Sequence, residues 1–191
     1  MIGAFTLSEL ASELGLSVTL SALKKDATFS AVTTDSRNMS AGDLYVALKG
    51  ERFNGDEFVE EALTKGAVAA VTHQSDAQAD AQRLVVDDTL SALATLARLN
   101  RDRSSAKVIA LTGSQGKTSV KEMIGSILKA KAPTLITAEN LNNTIGVPLT
   151  LLRLEARHEF AVIEMGANGA GEIAVSVAAT KPDIALITKA S

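Results

Sequence analysis

The chain has 191 residues, of which 46% are hydrophobic and 21% are charged, as is typical of a soluble globular protein with one large or two small domains. Its net charge of −3 argues against nucleic acid as a partner, because a nucleic-acid-binding surface needs a strong excess of lysine and arginine. The absence of cysteine excludes disulfides, thiolate metal sites and thiol nucleophiles.

The amino-terminal stretch MIGAFTLSELASELG carries acids where a secretory signal would have a basic region and an apolar core. No apolar run approaches the ~20 residues needed to cross a bilayer. We therefore expect a cytoplasmic protein without membrane insertion, acting as a monomer. Thr6 and Glu9 have the spacing of a capping box, which predicts a helix from near Thr6 to Gly15.

Short apolar and polar segments alternate through the first half of the chain. They predict strands at 29–34 and 44–48, a helix at about 57–65 and strands at 67–72 and 84–86. These elements indicate a small α/β domain. We place its boundary near Val86, so that residues 1–86 form one domain and residues 87–191 the next.

The sequence TDSR at 34–37 lies between two of these predicted strands. Its hydroxyl, carboxylate and guanidinium groups could bind a nucleotide base or a phosphate. The alternative is a surface turn in which Asp35 and Ser36 cap their own backbone, and spacing alone favours that turn. The two histidines, His73 and His158, lie in polar segments, so we expect both to be exposed and neither to be catalytic.

The second half of the chain also alternates between strands and helices. The pattern predicts a helix at 89–100, a strand at 108–111, a helix at 118–131, a strand at 134–137, a loop at 138–148, a strand at 160–165, a helix at 172–179 and a strand at 184–188. Such alternation is typical of a parallel α/β sheet with right-handed crossovers. On the helix at 118–131, Val120, Met123, Ile124, Ile127 and Leu128 form the predicted core-facing side.

The stretch VIALTGSQGKTSVKEM at 108–123 reads as a buried strand, a glycine-bounded turn and a helix. Gly113 and Gly116 allow a sharp turn and a close approach to a ligand, while the amides that start the helix point at an anion. Lys117 would lie beside the β- and γ-phosphates, and Thr118 would offer its hydroxyl to Mg²⁺. The GxxGKT pattern is one glycine short of a full Walker A motif. The alternative, a plain strand-to-helix turn with an exposed lysine, explains the two glycines less economically.

A single acid, Glu164, interrupts the hydrophobic strand at 160–165. A buried carboxylate is costly unless it is paired or binds a metal, and in a phosphate-loop fold the second metal-ordering acid comes from such a position. Glu164 is therefore the predicted magnesium ligand. The alternative is an ion pair with a lysine at the edge of the sheet.

The loop at 138–148 contains three asparagines within four positions. Their amides could donate and accept hydrogen bonds with a polar ligand, or they could be present because asparagine tolerates turn geometries. The sequence leaves both possibilities open.

Taken together, these motifs resemble those of the Mur ligases of peptidoglycan synthesis. The resemblance is carried, in the family's order, by TDSR at 34–37, GDLYVALKG at 42–50, TGSQGKTSVKEM at 112–123, NLNNTIGVPLTLLRL at 140–154 and VIEMGAN at 162–168. It covers essentially the whole chain. The asparagine-rich run favours the member of the family that adds D-alanyl-D-alanine over a neighbouring ligase whose corresponding loop is usually threonine-rich.

The resemblance assigns roles to particular residues. It implies that ATP binds to the phosphate loop, Gly113, Ser114, Gln115, Gly116, Lys117, Thr118 and Ser119, and that Thr118 and Glu164 bind Mg²⁺. It implies further that Ser36 and Arg37 grip uridine diphosphate and that Asn142, Asn143 and Thr144 border the muramoyl substrate and the γ-phosphate. Lys117, Thr118 and Glu164 are thus the expected catalytic residues.

Two departures from the family pattern are visible. Glu139 stands where many relatives have glycine, which affects nothing central. The run NGDEF at 54–58 lacks the histidine often found in that loop, which leaves the fine contacts to the sugar nucleotide open.

The implied activity is that of an ATP-dependent acid–D-amino-acid ligase. ATP would phosphorylate the terminal carboxylate of UDP-N-acetylmuramoyl-tripeptide, and the amine of D-alanyl-D-alanine would attack the acyl phosphate. One alternative is another ligase of the superfamily, such as a folylpolyglutamate synthetase, although that enzyme would not be expected to carry a TDSR-bearing uridine-nucleotide domain. A second alternative is a non-catalytic nucleotide-binding module.

The sequence stops directly after a predicted strand, and the resemblance implies further parts of the ligase: a downstream metal-binding histidine, a modified lysine and a C-terminal domain. We therefore expect an N-terminal fragment without ligase turnover. The measurement is ADP release by the purified 191-residue chain. Release that depends on both substrates would contradict the expectation.

Overall fold

The computed structural model describes residues 1–16, 27–50, 53–73, 82–167 and 169–189. The chain divides into two compact units, Gly3–Thr95 and Met1–Ile2 together with Leu96–Ser191. The division falls inside the helix Thr89–Asp102. The domain boundary near Val86 stays a prediction.

The unit Gly3–Thr95 is built on a four-stranded parallel sheet. In chain order its elements are β1 (Phe5–Thr6), α1 (Leu7–Glu13), β2 (Thr28–Phe29), β3 (Val32–Thr33), β4 (Leu44–Val46), β5 (Lys49–Gly50), β6 (Phe53–Asn54), α2 (Val59–Thr64), β7 (Ala69–Thr72), β8 (Arg83–Val85) and the first part of α3 (Thr89–Asp102). The sheet has the order β3-β4-β7-β8, and two antiparallel pairs, β1-β2 and β5-β6, lie outside it. Its core packs around the fully buried Tyr45.

Local signals in the sequence set the ends of several of these elements. The hydroxyl of Thr6 accepts a hydrogen bond from the N–H of Glu9 (3.1 Å), which confirms the predicted cap of α1. Gly66, with φ +97°, follows α2 as predicted. The strand predicted at 29–34 is wrong, because this run is split between β2 and β3, which belong to different sheets. Alternation along one segment does not reveal which strand each half will pair with.

The second unit also contains a parallel sheet. Its elements are the remainder of α3, β9 (Lys107–Thr112), α4 (Lys117–Lys129), β10 (Thr134–Ile136), α5 (Gly146–Leu151), β11 (Phe160–Glu164), α6 (Glu172–Thr180) and β12 (Ile184–Ile187). The strand order is β10-β11-β9-β12, with every neighbouring pair parallel. The predicted α/β class with mostly parallel sheets is confirmed.

Helix α5 was not predicted, since its first residues were assigned to the loop at 138–148. The side-chain oxygen of Asn143 accepts hydrogen bonds from the N–H groups of Ile145 (3.2 Å) and Gly146 (2.7 Å) and so starts the helix. Pro148 lies in the first turn, where a missing N–H costs no intrahelical hydrogen bond. Glycine and proline, which usually mark a loop, are here compatible with a helix start.

Apolar side chains remain exposed on this unit. Ile184 and Ile187 of β12, at the edge of the sheet, are 60% and 66% exposed. Met123 and Ile127 of α4 are each 62% exposed, so the predicted core-facing side is wrong for these two residues. The other three residues of that side, Val120, Ile124 and Leu128, are half-buried. The residues of α4 that are buried are Lys121 and Gly125. In the described part of the chain, no helix combines the length and apolar character needed to span a membrane.

The carboxylate of Asp183 anchors the residue that directly precedes β12. It accepts hydrogen bonds from the N–H of Val108 (2.9 Å), from Lys107 Nζ (3.0 Å) and from Arg101 Nη2 (3.2 Å). The Val108 N–H and then the Lys107 ammonium hold the pKa of Asp183 below its usual range. Because the folded-state pKa is depressed, the stabilisation is present above the unfolded pKa of about 4 and is lost as the pH falls through the folded value.

We expect Asp183→Asn to lower the free energy of unfolding by about 1–2 kcal/mol at pH 7, because charge-assisted hydrogen bonds are lost. The loss should shrink at pH 3, below the unfolded pKa of about 4, because the unfolded carboxyl is then mostly protonated and the stabilisation that comes from the depressed folded pKa is partly lost. Urea unfolding at both pH values measures it. Asp87→Asn, at an exposed position, is the control. An Asp183→Asn effect of equal size at both pH values would contradict this account.

Candidate active site

The turn between β9 and α4 has the shape that its two glycines predict. Gly113 and Gly116 have φ values of +143° and +79°. A Cβ on Gly113 would lie 2.2 Å from Thr188 Oγ1 and 2.9 Å from the Lys189 nitrogen, whereas a Cβ on Gly116 would meet no atom within 4 Å. Glycine is therefore required at 113 by both space and conformation, and at 116 by conformation alone.

Neighbouring strands hold this turn in place. Thr188, just beyond β12, donates its hydroxyl hydrogen to the Gln115 carbonyl (2.6 Å), and the Ser114 N–H donates to the Lys189 carbonyl (2.6 Å). Lys117 Nζ donates to the Gly113 carbonyl (2.7 Å) and so lies over the turn. The predicted phosphate-loop residues from 114 to 116, together with Thr118 and Ser119, are exposed.

Glu164, at the carboxyl end of β11, faces the start of α4 and is only 2% exposed. Its Oε1 lies 3.5 Å from Thr118 Oγ1 and accepts a 2.9 Å hydrogen bond from Asn142 Nδ2. Its Oε2 is buried without a hydrogen-bond partner among the described residues. The predicted pairing of Thr118 with Glu164 is therefore present in the geometry.

These groups fit a divalent cation. A buried carboxylate oxygen without a partner is rare and costly, and the oxygens of Glu164 and Thr118 are of the kind that Mg²⁺ prefers. The described residues contain no cluster of three carboxylate or imidazole groups suited to a metal. Mg²⁺ commonly needs only one or two protein carboxylates, because phosphate oxygens and water complete its shell.

Lys121 belongs to this cluster and was missed by the sequence interpretation. It is 1% exposed, and its Nζ lies 3.8 Å from Glu164 Oε2 and 3.1 Å from Glu122 Oε1. The alternative of an ion pair between Glu164 and a lysine is thus partly realised, although in an interior strand of the sheet and not at its edge. The sequence contained one sign that Lys121 is buried. It shares a helix face with Gly125 and Leu128, which follow it at i+4 and i+7.

The three polar residues predicted to border the substrate occupy different environments. Asn142 contacts Glu164, and its carbonyl accepts a 2.6 Å hydrogen bond from the N–H of Gly166. Asn143 caps α5, and Thr144 is half-buried beside it. Asn143 therefore has the turn role left open by the sequence, and Asn142 orients a site carboxylate. The substrate contacts of all three stay a prediction.

Glu139 has φ +45°, a left-handed conformation that is strained for a residue with a Cβ. Glycine adopts this conformation freely. The departure expected from the sequence therefore adds backbone strain at this position.

The TDSR run lines a separate cleft of about 550 Å³ within the unit Gly3–Thr95. Its lining residues are Thr34, Asp35, Ser36, Arg37, Tyr45, Phe53, Phe58 and Glu61. The Arg37 guanidinium makes two 2.8 Å hydrogen bonds to the Asp35 carboxylate and holds the pKa of that carboxyl well below its usual range. Asp35 also accepts from the Arg37 N–H, so the self-capped turn and the cleft wall coexist.

The histidines differ from the expectation that both are exposed. His158 is buried; its Nδ1 accepts a hydrogen bond from the Glu155 N–H (3.0 Å), and burial lowers its pKa. His73 Nδ1 lies 3.1 Å from the Oδ2 of the buried Asp56. Asp56 belongs to the run NGDEF at 54–58, so the imidazole of His73, just beyond the end of β7, reaches this loop.

Two family models match the chain. One, described as the Mur ligase middle domain, matches residues 111–191, and the other, described as the Mur ligase family catalytic domain, matches residues 28–101. The UDP-N-acetylmuramoyl-tripeptide–D-alanyl-D-alanine ligase of Escherichia coli (strain K12) is 51% identical over 162 residues, covering 85% of this chain and 36% of that protein. Its counterpart from Bacillus subtilis (strain 168) is 41% identical, covering 82% and 35%. The chain spans about a third of the length of these relatives.

Solved structures give the same result. A crystal structure of MurF from Acinetobacter baumannii superposes with a TM-score of 0.85 at 40% identity, covering 97% of this chain and 41% of that one. MurF ligase from Thermotoga maritima in complex with ADP gives 0.78 at 34% identity, covering 83% and 37%. A UDP-N-acetylmuramoyl-L-alanyl-D-glutamate–2,6-diaminopimelate ligase gives 0.66 at 20% identity, which shows a shared fold alone.

We expect Gly113→Ala to lower the free energy of unfolding by about 2–4 kcal/mol, since overpacking adds to backbone strain. Gly116→Ala should cost only about 1 kcal/mol, because it adds strain without a clash. Urea unfolding of the two variants beside the wild type measures the difference. Equal losses would show that Thr188 and Lys189 do not confine the turn.

Proposed function

The chain belongs to the Mur ligase family, and on this premise we propose that it carries the nucleotide and UDP-substrate sites of an ATP-dependent amide ligase. The proposed reaction joins D-alanyl-D-alanine to UDP-N-acetylmuramoyl-tripeptide, as the names of the relatives describe for those proteins. Transfer of the γ-phosphoryl group of ATP to the tripeptide carboxylate gives an acyl phosphate and ADP. The dipeptide amine then attacks the acyl carbon, loses a proton and displaces phosphate.

The observation that carries this proposal is the juxtaposition of Thr118 with Glu164 beside the glycine turn. Their oxygens are 3.5 Å apart, and the carboxylate keeps one buried oxygen without a hydrogen-bond partner in the described structure. We propose that both residues bind Mg²⁺. When bound, the metal would neutralise charge on the phosphoryl oxygens during transfer.

The other proposed roles follow from charge and position. Lys117 would exchange its hydrogen bond to the Gly113 carbonyl for one to a phosphate oxygen, which supplies positive charge where the transferring group develops negative charge. The exposed turn residues and the start of α4 would bind the phosphate chain through backbone N–H groups. Catalysis by this chain's residues would thus consist of positioning and electrostatic stabilisation.

We propose that the TDSR cleft holds the uridine diphosphate part of the other substrate. Its volume suits a small polar ligand, and Arg37, whose side chain is 83% exposed, could turn from Asp35 to a phosphate. The stacked rings of Phe53 and Phe58, with centroids 5.8 Å apart, form an apolar wall of this cleft.

A non-catalytic nucleotide-binding module remains the second candidate, and loss of ligase activity on Lys117→Ala in the full-length ligase would separate it from an enzyme. A folylpolyglutamate synthetase is disfavoured by the TDSR cleft in the unit Gly3–Thr95.

We also propose that the protein is a monomer and that it is located in the cytoplasm.

Binding by the 191-residue chain tests the two sites separately. We expect Lys117→Ala to weaken Mg·ADP binding by at least about tenfold, because a charged phosphate contact is lost, and to leave UDP-N-acetylmuramoyl-tripeptide binding unchanged. Arg37→Ala should do the reverse. Isothermal titration calorimetry measures both affinities.

Lys129→Ala, at an exposed lysine of α4, is the matched control and should change neither affinity. The proposal would be wrong if the wild-type chain bound neither ligand, or if Lys117→Ala and Arg37→Ala changed the same one.

A further inference from the structure

We propose that the buried ammonium group of Lys121 is a positioning group that supplies the counter-charge of Glu164 whenever Mg²⁺ is absent. The inference rests on the proposed metal-binding role of Glu164. It adds a function for Lys121: holding the carboxylate in its binding orientation and making metal binding depend on the nucleotide.

The charged groups of Lys121 and Glu164 are both buried. Lys121 and Glu164 are 1% and 2% exposed, so water cannot solvate either group well. An isolated buried charge is very costly, so the Glu164 carboxylate needs a counter-charge, which Lys121 supplies. The Lys121 ammonium also lies 3.1 Å from Oε1 of the exposed Glu122. The 3.8 Å separation of Lys121 and Glu164 gives charge compensation across an ion pair and lies beyond the range of a strong hydrogen bond.

The two oxygens of the Glu164 carboxylate have different surroundings. Oε1 is fixed by Asn142 and faces Thr118, whereas Oε2 faces Lys121 and has no hydrogen-bond partner among the described residues. Lys121 therefore neutralises the carboxylate without occupying the side that faces the Thr118 hydroxyl. The lysine follows Thr118 by three positions on α4, so one helix supplies both a candidate metal ligand and the substitute charge.

The ammonium group of Lys121 affects the affinity of the Glu164 site for Mg²⁺. A metal ion bound to Glu164 would share one carboxylate with an ammonium group, and the two cations would repel each other at low effective dielectric. Lys121 should therefore weaken binding of the metal alone. The phosphates of a nucleotide add negative charge that offsets this repulsion, so the metal binds well only together with the nucleotide.

Replacing Lys121 by methionine tests this inference. Without metal, Lys121→Met should lower the midpoint of thermal unfolding by about 5–10 °C, since Glu164 loses its counter-charge. Added MgCl₂ should restore more stability in this variant than in the wild type. Calorimetric titration with MgCl₂ alone should show about a tenfold gain in affinity, which corresponds to about 1.4 kcal/mol.

Three further variants keep the test decisive. Lys129→Met, at an exposed lysine on the same helix, should behave as the wild type. Lys121→Arg should keep both the stability and the weak binding of metal alone. The double variant Lys121→Met with Glu164→Gln should recover stability relative to Lys121→Met, because no buried charge is left unpaired. If Lys121→Met does not fold, folding of the double variant supports the inference and its failure to fold overturns it.

The outcomes separate this inference from the proposed function. If Glu164→Gln leaves Mg·ADP binding unchanged, the proposed metal role of Glu164 fails. If Glu164→Gln abolishes that binding while Lys121→Met loses the same stability with and without MgCl₂, the lysine is only a structural partner. Weaker binding of MgCl₂ by Lys121→Met than by the wild type would also overturn the inference.

Discussion

The arrangement of the second unit depends on a pair of opposite charges withdrawn from solvent, Lys121 and Glu164. The buried Glu164 carboxylate needs a counter-charge, and the packing of helix α4 against strand β11 supplies it by bringing Lys121 to within 3.8 Å. That packing also sets Thr118 opposite the carboxylate. A requirement of electrostatics thus fixes the relation between the start of a helix and the end of a strand, where the candidate chemistry lies.

Parallel strands concentrate such groups at one edge of a sheet. The turn after β9, the carboxylate at the end of β11 and the hydroxyl of Thr188 beyond β12 come together because all three strands run in the same direction. In the unit Gly3–Thr95 the TDSR run similarly follows the end of β3. Each unit thus places its candidate ligand site where an open parallel sheet usually binds its ligand.

The sequence predicted best what depends on neighbours along the chain. The cap at Thr6, the glycine turn and the acid at the end of β11 each follow from short-range chemistry, and the structure contains them. It failed where the outcome depends on distant partners. Periodicity identifies apolar residues such as Met123, but it does not show whether another element packs over them. A lysine is normally expected to be exposed, and the sequence does not show that a carboxylate on a distant strand allows it to be buried.

The edge strand β12 has consequences for handling the 191-residue chain by itself. Its side chains are exposed on both faces and its outer backbone edge is unpaired in the described structure, so it can accept a foreign strand. Attraction between apolar surfaces weakens on cooling and is strengthened by sulfate and phosphate salts. Concentrated samples should therefore stay dispersed longest in the cold and in chloride buffers, and crystals grown from ammonium sulfate should tend to bury this strand in a lattice contact.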